Sequence, residues 1–300
     1  MDRRTALKGA ATLLAATSLP RLDASGGGAS NGAAPLFDLD DPAQALDALV
    51  KMRGDLDGSE VAFYWTGSVW GMVPGEGNRA LFAYDGFSAA RFERSEAGWR
   101  MLNREVGVYR DLASGAILDR WLNPYLGREV EVLHRFNDPV NVEIRREGRF
   151  GIGSIPTTAI GDDIWWRLDM FFFRPSPISR ADYPLNVQHD MYQGAELTMY
   201  HARRSDLDNP GLTSIPSDVT FARVGQWEPF MEMGNRPGNM VFHAAGCKLA
   251  DGAAALEQVD SRLFRHVAEH HPTALRAPEF WVEGTVSQWD AFRRLHENGG

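Results

Sequence analysis

Three histidines lie within predicted β-strands, where their spacing could bring imidazole groups to one cavity. His134 shares a strand face with Val132 and Phe136, and His201 and His243 also alternate with apolar neighbours. Imidazole exchanges protons near neutral pH and is a common metal ligand, so three imidazoles in one cavity would supply acid–base or metal chemistry. The alternative is that each histidine is half-buried and hydrogen-bonded to backbone. The pattern leaves both interpretations open.

Two cations complete a catalytic hypothesis. Arg167 and Lys248 lie in segments rich in apolar residues, and a cation held there can stabilise negative charge that develops on a substrate oxygen. We therefore predict a site in which His134 or His243 removes a proton and Arg167 or Lys248 stabilises the resulting oxyanion. The predicted catalytic set is His134, His243, Arg167 and Lys248, and it includes no metal.

An aromatic segment, residues 164–174, is predicted to contact the ligand. It is apolar on both strand faces except for Arg167 and Asp169, which share a side with Trp165 and Phe171. Such a wall with an embedded ionic pair suits a ring-bearing ligand, although the same pair would also serve as a structural ion pair in a strand covered on both sides. The predicted ligand-binding residues are Trp165, Asp169, Phe171, Tyr200, His201 and Trp227.

The sequence lacks the motifs of several large catalytic families. It has no Gly-x-Ser-x-Gly elbow, no His-Glu-x-x-His pair, no phosphate-binding loop and no nucleotide fingerprint after a strand. Its single cysteine, Cys247, excludes an intrachain disulfide, a zinc site of several thiolates and a cysteine-ligated iron–sulfur cluster. The formal net charge of −9 argues against a nucleic-acid-binding surface. No cofactor is predicted.

The elements that must position these residues are mainly β-strands. The 300 residues include 30 glycines, 16 prolines, 9 tryptophans, 16 phenylalanines and 7 tyrosines, a composition typical of aromatic-rich strands joined by many turns. Apolar alternation predicts ten strands, near residues 60–72, 79–84, 87–94, 99–110, 128–136, 140–147, 164–174, 195–204, 218–225 and 239–248.

Few helices are predicted between these strands. A helix should begin after Asp41-Pro42, an apolar stripe runs from Leu256 to Val267, and a terminal helix covers residues 287–296. We therefore predict a mainly β fold, a single antiparallel, calycin-like β-barrel with a few short flanking helices.

The first 24 residues are predicted to be an export signal. Arg3, Arg4 and Lys8 precede an uncharged run from Gly9 to Leu19, as in a secretory signal peptide, and the arginine pair resembles the twin-arginine signal. This run of 11 residues is shorter than the ~20 that span a bilayer, so no stable membrane anchor is expected. The alternative is a short N-terminal helix in a cytosolic protein.

These features predict a domain organisation and a compartment. Residues 1–24 form a twin-arginine-type signal peptide, residues 25–35 a flexible linker rich in Gly, Ala and Ser, and residues 36–300 a single domain. The protein is expected to be periplasmic, with its signal peptide removed. Its expected partners are the twin-arginine export machinery and an apolar small molecule, without nucleic acid.

A series of short motifs gives the sequence a family resemblance. The motifs are Tyr109-Arg110-Asp111 with Gly115, Trp121-Leu122-Asn123-Pro124 with Gly127, Val130 to His134, Asn137-Asp138-Pro139-Val140, Glu196, Asp206-Leu207, Trp227-Glu228-Pro229-Phe230-Met231, Met233-Gly234, Pro237-Gly238, Gly246 and Lys248. Over roughly residues 45–292 they resemble a bacterial family catalogued as domain of unknown function 1838. The resemblance implies one exported domain, in bacteria that break down aromatic and terpenoid compounds, and it assigns no catalytic residue.

Together these observations predict a periplasmic, cofactor-independent lyase or isomerase. Its substrate would be an apolar, ring-containing small molecule, aromatic or terpenoid, held inside the barrel. One alternative is a non-catalytic protein that binds the same kind of molecule. Another is a metal-dependent hydrolase or oxygenase built on His134, His201 and His243, with a carboxylate such as Glu196 or Asp169.

Overall fold

A ten-stranded antiparallel sheet dominates the structure, a computed structural model that describes residues 36–145, 157–250 and 252–297. The mainly β class is confirmed, whereas the predicted signal peptide and linker lie outside the described residues. The strands are β1 (Val61–Met72), β2 (Arg79–Ser95), β3 (Gly98–Arg110), β4 (Arg120–Asn123), β5 (Arg128–Glu131), β6 (Arg135–Arg145), β7 (Thr157–Ile160), β8 (Asp163–Pro175), β9 (Met191–Arg203), β10 (Asp218–Gly225), β11 (Asn239–Leu249) and β12 (Val286–Ser287).

The large sheet has the hydrogen-bonded order β12-β6-β3-β2-β1-β11-β10-β9-β8-β7, and β4 pairs with β5 in a separate hairpin. Among the described residues the edge strands β12 and β7 do not pair with each other, and no closed barrel is found. The sheet is nevertheless strongly curved. Val142 of β6 and Leu168 of β8 line one cavity, although six strands separate β6 from β8 in the sheet order.

Short helices lie around the sheet. They are α1 (Pro42–Arg53), α2 (Arg204–Leu207), α3 (Ala253–Val259), α4 (Ser261–His270) and α5 (Gln288–Glu297), with 3-10 turns at Pro229–Met231 and Pro272–Leu275. The predicted lead-in and terminal helices are confirmed. The side chain of Asp41 caps α1 by accepting hydrogen bonds from the backbone N–H groups of Ala43 and Gln44. No described helix is long and apolar enough to cross a membrane.

The predicted apolar stripe of residues 256–267 is divided between two helices. Asp260 follows α3, and its side chain caps α4 by accepting hydrogen bonds from the amides of Arg262 and Leu263. Val259, which the stripe predicted to be buried with its neighbours, is 52% exposed. The cap therefore breaks the helix where the apolar spacing alone predicts continuity.

Two predicted strand boundaries are wrong. Residues 79–84 and 87–94 were predicted as separate strands, yet β2 runs unbroken through Asp85 and Gly86. Glycine is needed at position 86 because a Cβ atom there would lie 2.1 Å from the indole of Trp65 on β1. The predicted strand 128–136 is also broken, since β5 pairs with β4 whereas β6 joins β3.

Clusters of buried apolar side chains form the core on both sides of the sheet. On the concave side, α1 packs with Trp99 and Trp166 at one end, and the turn at Pro229–Met231 packs with Phe82 at the other. On the convex side, α3 and α4 cover β1, β2 and β3 around Phe87. Members of both concave clusters line the cavity that remains between them.

Candidate active site

The cavity on the concave side combines aromatic walls with buried charges. It has a volume of about 220 Å³, and a second cavity of about 200 Å³ shares part of its wall. The aromatic and apolar lining consists of Phe63, Trp65, Tyr84, Met170, Tyr200, Val219, Phe221 and Phe242. The polar lining consists of Arg53, Ser88, Glu105, Arg135, Asn137, Glu196, Thr198 and Arg223.

Glu228 is a buried carboxylate that binds Arg135, one of the charged residues of the cavity lining. It lies just before the 3-10 turn at Pro229–Met231 and is only 4% exposed. One carboxylate oxygen accepts a 2.9 Å hydrogen bond from Nη1 of Arg135, and the other accepts a 2.9 Å hydrogen bond from Nε2 of Gln288 on α5. Burial raises the pKa of Glu228, and the charge of Arg135 opposes this shift. The carboxylate thus compensates buried arginine charge.

Arg223 is placed on the concave face by the alternation of β10, on the same side as Val219 and Phe221. Its Nη2 atom donates a 2.5 Å hydrogen bond to the hydroxyl of Tyr192, and its Nε atom lies 3.5 Å from Oε1 of Glu196. The buried Nη1 atom has no hydrogen-bond partner among the described residues. Arg223 therefore holds a fixed guanidinium whose Nη1 group has unused hydrogen-bonding capacity.

Two further carboxylates line both cavities, Glu196 on β9 and Glu105 on β3. Burial raises the pKa of Glu196; the charge of Arg135 opposes this shift, and the negative charge of Glu105 adds to it. Glu105 itself accepts a 2.8 Å hydrogen bond from Nδ2 of Asn103. A carboxylate with a raised pKa is a stronger base, so Glu196 is suited to proton transfer.

Buried tyrosines surround these charges. Burial raises the pKa of Tyr84 to about 12 and also raises the pKa of Tyr192, which keeps both hydroxyls protonated at neutral pH. The hydroxyl of Tyr109 is buried beside Arg135 and Glu228, and burial raises its pKa as well. The site thus contains neutral hydroxyl groups beside its buried carboxyl groups.

His134 does not line this cavity. Its Nδ1 atom accepts a 3.2 Å hydrogen bond from the backbone N–H of Tyr109, and its ring lies 5.1 Å from that of His266 on α4. Burial lowers the pKa of His134 to about 3, with a further contribution from His266. The ring is therefore neutral at physiological pH and bonded to backbone.

The predicted convergence of three imidazoles is not found. His243 is exposed on the convex face of β11, the side opposite to the cavity. His201 lies on the same convex side, where its Nε2 atom is 2.9 Å from Oδ1 of Asp163 and its Nδ1 atom is 3.5 Å from Oδ2 of Asp218. Among the described residues no group of three or more His, Cys, Asp or Glu side chains is arranged to hold a metal ion.

The predicted cations are also far from one common site. Arg167 is exposed on the convex side of β8. Lys248 lies at the C-terminal end of α1, where its Nζ atom donates hydrogen bonds to the carbonyls of Gly54 at 2.5 Å and Met52 at 3.1 Å. Burial lowers the pKa of Lys248 to about 8. The lysine is thus used to satisfy the last carbonyls of a helix.

Most of the predicted ligand-binding residues face outward as well. Trp165, Asp169 and Phe171 lie on the convex side of β8 with Arg167. Trp227 is buried beside Glu228, and its indole N–H donates a 3.0 Å hydrogen bond to the carbonyl of Arg236. Of the predicted ligand-binding residues, Tyr200 is the one that lines the cavity.

The fold and the cavity define a mainly β protein that holds a buried group of arginines and carboxylates behind aromatic walls. The chain belongs to the family described as protein of unknown function (DUF1838), which matches residues 58–296. The family resemblance read from the sequence motifs is thereby confirmed. No curated protein matches the chain.

Proposed function

We propose that this protein is a cofactor-independent isomerase or lyase that acts on a ring-containing small molecule with a carbonyl group. The observation that carries this proposal is the free Nη1 group of buried Arg223, which lies in an aromatic cavity beside the raised-pKa carboxylate of Glu196. A hydrogen-bond donor and a base side by side are the two groups that proton abstraction next to a carbonyl requires.

The proposed reaction begins with the carboxylate of Glu196. It takes the proton of a C–H bond adjacent to the carbonyl, and the electron pair of that bond moves through carbon to form an enolate. Arg223 donates a hydrogen bond from Nη1 to the negative oxygen, and the nearby charge of Arg135 adds to this stabilisation. Protonated Glu196 then returns the proton to a different carbon in an isomerase, or a leaving group departs in a lyase.

The walls of the cavity suit an apolar ring. Trp65, Tyr200 and Phe242 offer ring faces, and the described volume of about 220 Å³ fits a small molecule. The aromatic side chains also exclude water, which strengthens the interaction between the Arg223 guanidinium and an enolate oxygen. These properties support an aromatic or terpenoid substrate.

We also propose that the curved sheet encloses the ligand as a calycin-like barrel. The shared cavity lining from β6 and β8 supports this closure. Hydrogen exchange of the full chain tests it, because the backbone amides of β7 that point away from β8 exchange rapidly in an open sheet and slowly in a closed barrel. Rapid exchange along β7 would contradict closure.

The proposed compartment is the periplasm. Arg3 and Arg4 followed by the uncharged run from Gly9 to Leu19 support export through the twin-arginine route.

The alternative to an enzyme is a ligand-binding protein without turnover, because the same cavity would also retain a molecule. The two differ in whether a bound molecule changes.

Proton abstraction can be measured without knowing the substrate. A panel of cyclic enones and aryl ketones is incubated with the protein in D₂O, and deuterium at the carbon beside the carbonyl is followed by NMR. We expect wild type to accelerate exchange for at least one compound and Glu196→Gln to reduce that rate by about 100-fold or more. Arg223→Gln should also reduce it, by about 100-fold.

The exposed ion pair of Arg120 and Glu129 provides matched controls. Arg120→Gln and Glu129→Gln make the same chemical changes outside the cavity and should leave exchange unchanged. Native mass spectrometry of protein from its source identifies a retained molecule. A retained molecule that comes back unaltered, together with no exchange across the panel, would support a binding protein and reject the enzyme.

A further inference from the structure

The convex side of the sheet carries a feature that the cavity does not use. Helices α3 and α4 cover this side of β1, β2 and β3, whereas apolar side chains on β8, β9 and β10 are exposed. Phe171 is 78% exposed and Phe173 is 73% exposed, and Leu197, Met199 and Val224 are also exposed. Contiguous apolar surface of this kind is a hallmark of an interface. We name it the bare face.

The strand register joins these side chains into a continuous surface. One row crosses five strands without a charged residue, and its members in sheet order are Phe171, Ala195, Val224, Val241 and Trp70. Because neighbouring strands lie about 4.8 Å apart, this row spans about 19 Å. Along β8 the bare face extends from Trp165 to Phe173, which is about 27 Å at the spacing of same-side residues.

Two opposite charges lie within the bare face. Arg167 and Asp169 are two residues apart on β8, and both are exposed on the side that carries Phe171. Among the described residues neither forms an ion pair or a side-chain hydrogen bond. The next strand places Leu197 opposite Asp169 and Met199 opposite Arg167. A positive and a negative charge thus stand unpaired, side by side, among apolar groups.

We propose that the bare face is the interface of a homodimer in which two copies of the chain stack sheet against sheet. A two-fold axis that crosses the strands between residues 167 and 169 places Arg167 opposite the partner subunit's Asp169. The same axis places Leu197 opposite the partner's Met199. The surface is therefore complementary to itself in charge and in apolar character, as a two-fold interface requires.

The dimensions of the bare face agree with a second copy of the chain as its partner. Packed sheets lie about 10 Å apart, a gap that side chains from both inner faces fill. A face of about 19 Å by about 27 Å is of the order of the footprint of an interface that buries about 800 Å² on each partner. The dimer leaves the cavity untouched, because the cavity lies on the opposite side of the sheet.

Sedimentation equilibrium of the full chain over a range of concentrations tests the dimer. We expect wild type to dimerise, and we expect Phe171→Asp to raise the dimer dissociation constant about 30-fold or more. Leu122→Asp is the control, since Leu122 is 60% exposed on β4 outside the bare face. It should leave dimerisation unchanged.

A charge exchange tests the two-fold arrangement itself. Arg167→Asp alone places like charges opposite each other and should weaken the dimer, as should Asp169→Arg alone. The double substitution Arg167→Asp with Asp169→Arg restores opposite charges and should restore dimerisation. Failure of this rescue would overturn the arrangement. A wild-type chain that stays monomeric at every concentration would overturn the dimer, and binding of that monomer to phosphatidylglycerol vesicles would assign the face to a lipid surface.

Discussion

Nη1 of Arg223 lies 3.6 Å from Oε1 of Glu228, yet the two buried groups form no hydrogen bond through that atom. Glu228 instead accepts its hydrogen bonds from Arg135 and Gln288. The carboxylate of Glu228 therefore offsets the charge of Arg223 without a hydrogen bond, and Nη1 of Arg223 keeps its hydrogen-bonding capacity. The proposed binding of a ligand oxygen by Arg223 depends on this relationship.

The first prediction concerns the stability that Glu228 provides. Glu228→Ala removes the carboxylate that pairs with buried Arg135 at 2.9 Å and lies 3.6 Å from buried Arg223. We expect the free energy of unfolding to fall by about 3–5 kcal/mol. Urea denaturation measures it, with Glu129→Ala as control, since Glu129 belongs to an exposed pair and should contribute about 0–1 kcal/mol. Equal losses in the two variants would contradict the prediction.

The second prediction concerns the pH dependence that Glu196 imposes. Burial raises the pKa of Glu196 above its ordinary value of 4.5, so the folded protein holds this proton more tightly than the unfolded chain. The stabilisation that protonated Glu196 provides is complete below pH 4.5 and is lost as pH rises through the folded pKa. Glu196→Gln does not titrate.

The measured quantity is the difference in free energy of unfolding between Glu196→Gln and wild type. As pH increases above 4.5, the free energy of unfolding of Glu196→Gln should increase relative to that of wild type, and the difference should then level off. Urea denaturation at a series of pH values supplies it, and Glu129→Gln, at an exposed position, should show no such trend. A flat difference for Glu196→Gln would mean that its carboxyl titrates normally.

The sequence predicted the strands better than their faces. The segment 164–174 is apolar on both sides, so alternation could not decide which side lines the interior. In the structure Ile164 and Trp166 are buried in the concave cluster, whereas Arg167 and Phe171 face outward. Register against β9 and the curvature of the sheet decide this, and neither is encoded within the segment itself.

The charged residues of the cavity had only a weak sequence signal. Arg223 follows Val219 and Phe221 at two-residue spacing, which marks a charge on an apolar strand face, the same pattern that singled out the histidines. Glu228 lies in a turn between strands, where charge is ordinary and burial is not expected. Its partners, Arg135 and Gln288, are brought to it by the tertiary fold.

The third prediction concerns export. Arg3→Lys together with Arg4→Lys should hold the precursor in the cytoplasm, because the twin-arginine route reads the pair. Cell fractionation and the mass of the N-terminal peptide report the outcome. Arg21→Lys makes the same change outside the pair and should leave export unchanged. Normal export and processing of the double variant would reject this route.

The last prediction separates a structural His134 from a catalytic one. Because its ring accepts a hydrogen bond from the backbone of Tyr109 and lies outside the cavity lining, His134→Gln should lower the melting temperature while turnover per folded molecule is preserved. Loss of a buried hydrogen bond costs about 1–3 kcal/mol. His243→Gln, at an exposed position, should change neither quantity.

The pH dependence of stability gives an independent reading of the same residue. Burial lowers the pKa of His134 from 6.5 to about 3, so the unfolded chain binds this proton more readily than the folded protein. The stabilisation that neutral His134 contributes to the folded protein is complete above pH 6.5 and is lost as pH falls towards 3. His134→Gln removes this titration, so its stability should decline less steeply than that of wild type between pH 6.5 and 3. A variant that melts normally but loses deuterium exchange would instead make His134 catalytic.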